Sequence, residues 1–158
     1  MANMPLGAPS AGGTAYEGAA ARTVRGIMEY ARWPQRRDPM QLCVVGPALH
    51  AGQLGAFRMA DGRQVQRRNV AANVAALVGC DVVYLGQLGV PLQRQLTAAV
   101  RGRGVLTIAE ADPANASEAM FAFTYQPRSL SFRLNIDAVS RSGMKVDPRV
   151  LRVAKGGL

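Results

Sequence analysis

Apolar positions recur at helical spacing from Tyr16 to Arg32. Tyr16, Ala20, Val24, Ile27 and Ala31 share one face, with Arg22, Arg25, Glu29 and Arg32 largely elsewhere. Pro34 ends this helix, because the residue before a proline disfavours helical geometry. The pattern then changes. Gln41 to Gly46 carries an unbroken apolar run, Leu42-Cys43-Val44-Val45, which suits a strand buried on both faces of a parallel sheet. Gly46-Pro47 turns the chain, and Ala48 to Arg58 predicts a short helix anchored by Leu49, Leu54 and Phe57. Asp61-Gly62 signals a turn. Arg63 to Val70 reads as a polar strand, suited to a sheet edge where charge guards against unwanted pairing. Ala71 to Val78 reads as a brief Ala-rich helix.

The second half repeats the alternation. Cys80 to Gly86 predicts a third strand, Pro91 to Arg101 a helix with proline in its first turn, and Val105 to Ala109 a fourth strand. Strand and helix alternating at this spacing argue for right-handed crossovers and a parallel sheet. Ala119 to Tyr125 and Ser129 to Asn135 form a hairpin across Gln126-Pro127-Arg128 and add an antiparallel edge. A short amphipathic helix follows Asn135-Ile136, then a stop at Gly143, then a terminal helix that Asp147 caps and Pro148 starts. The expected architecture is one α/β domain over residues 16–158, behind a flexible tail at residues 1–15. Its sheet is mostly parallel with about six strands, helices on both faces and an antiparallel C-terminal hairpin.

At 158 residues, 49% of them hydrophobic, the chain buries a core without needing a metal or many disulfides. The formal net charge is +9, and only Lys145 and Lys155 among the 19 basic residues are lysines. That excess speaks of attraction to anions or of a solvated basic face, not of fold. Arg63, Arg67 and Arg68 make one strand basic, but Arg67 and Arg68 point to opposite faces and no exposed aromatic is interleaved with them. Nucleic acid is therefore not an expected partner. No run reaches the roughly eighteen apolar residues of a membrane-spanning helix. Met1 to Ala15 lack the basic and apolar regions of a secretory signal.

Candidate chemistry is sparse. Glu110 and Asp112 follow the fourth strand, and carboxyl ends of parallel strands are where α/β folds place ligands. Two acids there suit acid/base work or simply cap and solubilise a loop; Asp81 starts its strand and lies at the opposite end. His50 is the sole histidine, so a metal site is not expected, and no Gly-x-Ser-x-Gly elbow accompanies it. The glycines lack the spacing of a phosphate loop. Cys43 and Cys80 lie too far apart in sequence for a catalytic Cys-x-x-Cys; a disulfide between neighbouring strand starts and two buried free thiols both remain open. Trp33, the only tryptophan, is either a core anchor or part of a recognition surface.

Several of these pieces, in this order and spacing, resemble the YfiR family of small periplasmic regulators. The opening helix closes on Trp33-Pro34. Leu42-Cys43-Val44-Val45-Gly46, Gly62-Arg63-Gln64-Val65 with Arg67-Arg68, Cys80-Asp81-Val82-Val83-Tyr84-Leu85 and Val105-Leu106-Thr107-Ile108-Ala109 are similar to its first four strands. The most specific piece is C-terminal: Ser131-Phe132-Arg133-Leu134-Asn135-Ile136-Asp137-Ala138, then Gly143-Met144-Lys145-Val146-Asp147 and Val150-Leu151-Arg152-Val153-Ala154. There are departures. Ala116-Ser117-Glu118-Ala119 stands where the family usually has a glycine pair, Thr23 and Arg25 stand where the opening helix is usually bulkier, and no second cysteine pair lies near the C-terminus.

The resemblance implies a non-enzymatic protein without a cofactor, living in the periplasm after removal of its signal peptide. It implies a Cys43–Cys80 disulfide as a structural staple. It implies that the protein binds the periplasmic sensor domain of an inner-membrane diguanylate cyclase and holds it inactive, limiting cyclic-di-GMP and biofilm formation. Redox state or an outer-membrane lipoprotein would modulate that hold, and a homodimer is compatible with it. Trp33, Arg67 and Arg68 are the candidate partner-binding residues. The rival expectation is a small-ligand-binding or enzymatic α/β domain that uses Glu110 and Asp112.

Overall fold

The computed structural model describes residues 3–5 and 15–155. In chain order the first elements are β1 (Asn3–Pro5), α1 (Glu17–Tyr30), β2 (Ala31–Arg32), β3 (Met40–Val45), β4 (Phe57–Arg58) and β5 (Gln64–Val70). Then come β6 (Val82–Leu85), α2 (Val90–Val100), β7 (Leu106–Ala109), β8 (Phe121–Gln126), β9 (Ser129–Leu134), α3 (Ile136–Arg141) and β10 (Lys145–Val146). Short 3-10 turns occupy Val74–Leu77 and Pro148–Lys155. One sheet holds eight strands in the order β1-β9-β8-β7-β6-β3-β5-β4, and β2 and β10 form a separate ribbon. From β5 to β8 every pairing is parallel, and β8 with β9 is the expected hairpin.

The unbroken apolar runs are explained by two cores, one on each face of the sheet. Leu42 and Val44 of β3 pack towards α1 with Val24, Ile27, Met28, Tyr84 and Phe121. Cys43 and Val45 point the other way, towards Leu96 and Val100 of α2, with Val83 and Leu85. A strand whose alternate residues enter different cores has no polar face to show, so periodicity of two disappears from its sequence.

Several local expectations are corrected. The six expected strands are all present, and β1 and β4 are very short additions to the edges of the sheet. Helix α1 ends at Tyr30, and Ala31 and Arg32 pair with Val146 and Lys145 instead. Ala48 to Arg58 forms no helix. Its backbone groups are taken by distant side chains: Glu110 accepts from the amides of Leu49 and His50, and Arg67 donates to the carbonyls of Ala51 and Leu54. These long-range bonds replace the helical ladder. Ala71 to Val78 and the terminal segment shrink to 3-10 turns, the latter still capped by Asp147 through the Arg149 amide at 2.9 Å. The basic strand β5 is an edge over most of its length, since β4 covers only Gln64 and Val65. Of the expected tail, residues 1–2 and 6–14 lie outside the described residues, and the backbone of Asn3–Pro5 pairs with β9.

Candidate functional site

Two ends of the sheet hold the residues singled out above. Towards the amino ends of the parallel strands, Cys43, the fourth residue of β3, and Cys80, two residues before β6, form a disulfide with Cα atoms 5.9 Å apart. Both cysteines are buried. β3 and β6 are adjacent parallel strands with Cys43 in register with Val83, and the chain entering β6 passes beside β3 with Cys80 three residues before that position. Arg68, opposite Cys43 on β5, lays one guanidinium nitrogen 3.4 Å from the sulfur of Cys43 and 3.5 Å from that of Cys80. It also donates to the carbonyl of Val78 at 3.1 Å. A cation in that place favours a thiolate over a thiol once the bond opens.

The residue after Cys80 organises the same end. Asp81 is buried; its carboxylate accepts from the Gln41 amide at 2.7 Å and pairs with Arg37 at 3.1 Å. Its backbone carbonyl accepts from the indole of Trp33 at 2.9 Å. Pro34 packs its ring on Gly104 so closely that a Cβ added there would lie 2.4 Å from the proline Cγ. Gly104 has φ +69° and is fixed in turn by its N–H, which donates a hydrogen bond to the Ser142 carbonyl at 2.8 Å. Trp33 is thereby held as a rigid, partly exposed wall between two open clefts of about 420 and 290 Å³. The absence of an aromatic beside the basic strand is corrected here: the Arg63 guanidinium stands 5.7 Å from the centre of the Trp33 ring. Thirty positions separate the two in the chain, and only the sheet brings them together.

Arg67 and Arg68 do point to opposite faces. Arg67 clamps the Ala51–Leu54 segment and reaches Asn69 at 3.0 Å, so it sits apart from both Trp33 and the disulfide. At the carboxyl end of the strands, Glu110 is wholly buried. Its carboxylate accepts from the Leu49 and His50 amides, the Tyr84 hydroxyl at 2.7 Å and the Gln87 side chain. The Tyr125 hydroxyl donates to its carbonyl. Burial first, then the nearby Glu110 charge, push the phenols of Tyr84 and Tyr125 well above their ordinary value. Both therefore stay neutral donors. His50 is half-buried, with its ring 5.3 Å from Tyr16 and 5.1 Å from Tyr125.

Asp112 is also buried and has a different set of partners. Burial pushes its carboxyl up, but the Ser117 hydroxyl, the amides of Ala116 and Ser117, and the charge of Arg133 together hold it below the usual carboxylate value. A general acid near neutral pH needs the opposite shift. The same bonds shape the loop that carries Ala116 and Ser117. In this loop Asn115 and Glu118 take φ +54° and +64°, in the region that favours glycine. Glu110, Asp112, Leu49, Phe123 and Arg133 line an open cleft of about 420 Å³, so the loop borders a cavity while its carboxylates are engaged within the protein.

Among the described residues no group of three or more His, Cys, Asp and Glu is arranged to hold a metal, and no helix is long and apolar enough to cross a membrane. The sequence profile described as YfiR/HmsC-like matches residues 18–155, which span both ends of the sheet and the C-terminal block. That family is regulatory rather than catalytic, and its members act in the periplasm on partners in cyclic-di-GMP signalling.

Proposed function

This chain belongs to the YfiR/HmsC-like family, and we propose that it represses an inner-membrane diguanylate cyclase by binding that enzyme's periplasmic sensor domain. The observation that carries this reading is the family match over residues 18–155. The Cys43–Cys80 bond supports life in an oxidising compartment. The mechanism is differential binding: the regulator prefers the inactive conformation of the cyclase and shifts its population towards it. Trp33 is the contact residue of choice, because a rigid, partly exposed indole loses little freedom on docking. Arg68 couples the disulfide to the redox state of the surroundings. Reduction frees the Cys80-Asp81 corner on which Trp33 rests and so weakens repression; capture by an outer-membrane lipoprotein would relieve it by competition.

The rival reading, a ligand or substrate site at the Glu110–Asp112 loop, finds both carboxylates already hydrogen-bonded within the protein. The test is reconstitution. The oxidised protein should bind the isolated periplasmic domain of the cyclase and lower cyclic-di-GMP production by the full-length enzyme in vesicles. Trp33→Ala should weaken binding by roughly tenfold or more, as a central aromatic contact does. Unchanged output at saturating regulator would refute the proposal.

A further inference from the structure

The amino end of the sheet carries an excess of positive charge that the fold itself does not use. Glu29 accepts from the Ala60 amide, Asp38 from the Gln64 amide, and Asp61 from Arg63. Asp81 is held by Arg37 and Asp147 by Arg149. Every acid of this end is thus engaged within the chain. Arg32, Arg103 and Lys145 are exposed and make no ion pair within 4 Å among the described residues.

Arg32 and Lys145 stand directly opposite each other in the β2–β10 ribbon. Like charges in that position repel and destabilise a strand pair. Asp147, whose carboxylate feels the charge of Arg32, already lies against Arg149 at 2.7 Å. Arg32, Arg36 and Arg63 border the larger cleft beside Trp33 together with Glu29 and Asp61, and Arg103 and Arg37 border the smaller one together with Asp81. Arg36 and Arg63 are paired with Asp61 and Arg37 with Asp81, which leaves Arg32 and Arg103 as the cations outside ion pairs among the described residues. Cations therefore flank a fixed indole on both sides.

We infer that this face is the docking site for a carboxylate-rich segment of a partner protein. Its acidic side chains would meet Arg32, Lys145 and Arg103, and an apolar group would lie on Trp33. The inference rests on the reading of the protein as a protein-binding regulator and adds the chemistry of the contact. Charge complementarity of this kind raises the association rate and sets orientation.

The sole tryptophan makes the face directly observable. Hexaglutamate titrated into the oxidised protein should change Trp33 emission saturably, and high salt should weaken that response by about tenfold or more. The Arg32→Glu/Lys145→Glu variant, altered only at exposed positions, should keep its circular dichroism and melting temperature and lose the response by at least about tenfold. Equal response in the variant, or tighter binding of oligothymidylate than of hexaglutamate, would overturn the inference. The same variant, tested against the periplasmic domain of the cyclase, separates the two claims. If the domain binds wild type and variant equally, this inference fails while repression stands. If it binds neither while hexaglutamate still distinguishes them, the acidic docking face stands and the cyclase is the wrong partner.

Discussion

The indole nitrogen of Trp33 donates to the backbone carbonyl of Asp81, 2.9 Å away and 48 positions further along the chain. Asp81 directly follows Cys80, whose disulfide to Cys43 ties β6 to β3. One covalent bond thus supports the corner on which the partly exposed indole rests. Four expectations test this arrangement and the opposite end of the sheet.

The Cys43→Ala/Cys80→Ala variant should be less stable by about 4 kcal/mol, from the chain entropy of the loop that the bond closes. In a protein of this size that corresponds to a melting temperature lower by roughly 10 °C. Trp33 emission should also move to longer wavelength, as the Asp81 carbonyl loses its anchor. An unchanged melting temperature in oxidising buffer would sink the staple role.

Gly104→Ala should displace Trp33-Pro34. The alanine must adopt φ +69° and places a methyl 2.4 Å from the Pro34 Cγ. A cost of about 2 kcal/mol or more is expected, together with easier quenching of Trp33 by iodide. Native quenching in this variant would mean that the Pro34–Gly104 contact does not position the indole.

Glu110→Ala removes the acceptor for four donors, two of them backbone amides of the segment that follows Pro47. Buried donors left without partners make a loss of about 3 kcal/mol or more reasonable. Urea denaturation measures it. A loss under about 1 kcal/mol would show that the loop re-forms its bonds elsewhere.

Acid should weaken the fold through its aspartates. Asp112 and Asp61 titrate below their ordinary value of 3.8, and Asp147 at about 2. For Asp112 burial opposes the shift, and the Ser117 hydroxyl, the loop amides and the Arg133 charge outweigh it. For Asp61 the Arg63 amide is the main cause, and for Asp147 the Arg149 side chain is. A carboxylate whose folded value is depressed contributes stability that is fully present above its unfolded value and lost as pH falls through the folded one. The urea midpoint should therefore be steady above about pH 5 and fall from about pH 4 downward. Asp112→Asn should flatten part of that acid limb, because Asp112 is the buried member of the three. An acid limb identical in the variant would count against the Asp112–Ser117 bonds.

What the chain reveals by itself follows from local rules. The run Leu42-Cys43-Val44-Val45, the proline at the start of α2, the Gln126-Pro127-Arg128 hairpin and the Asp147-Pro148 cap each state their structure within a few residues. That is why the α/β class, the helices on both faces and the C-terminal hairpin were legible. The Ala48–Arg58 segment shows where this fails. Its composition suits a helix, yet Glu110 and Arg67 take its backbone groups from far along the chain, and Gly52 packs so closely on Glu17 that a Cβ would meet its carboxylate at 2.3 Å. The site behaves in the same way. Sequence marks Trp33, Arg63, Cys80 and Lys145 as separate residues of known chemistry. Only the parallel register of β3, β5 and β6, and the pairing of β2 with β10, bring them to one end of the sheet. Propensity acts over a few neighbouring residues, whereas a surface is made by side chains whose separation in the chain carries no information about their separation in space.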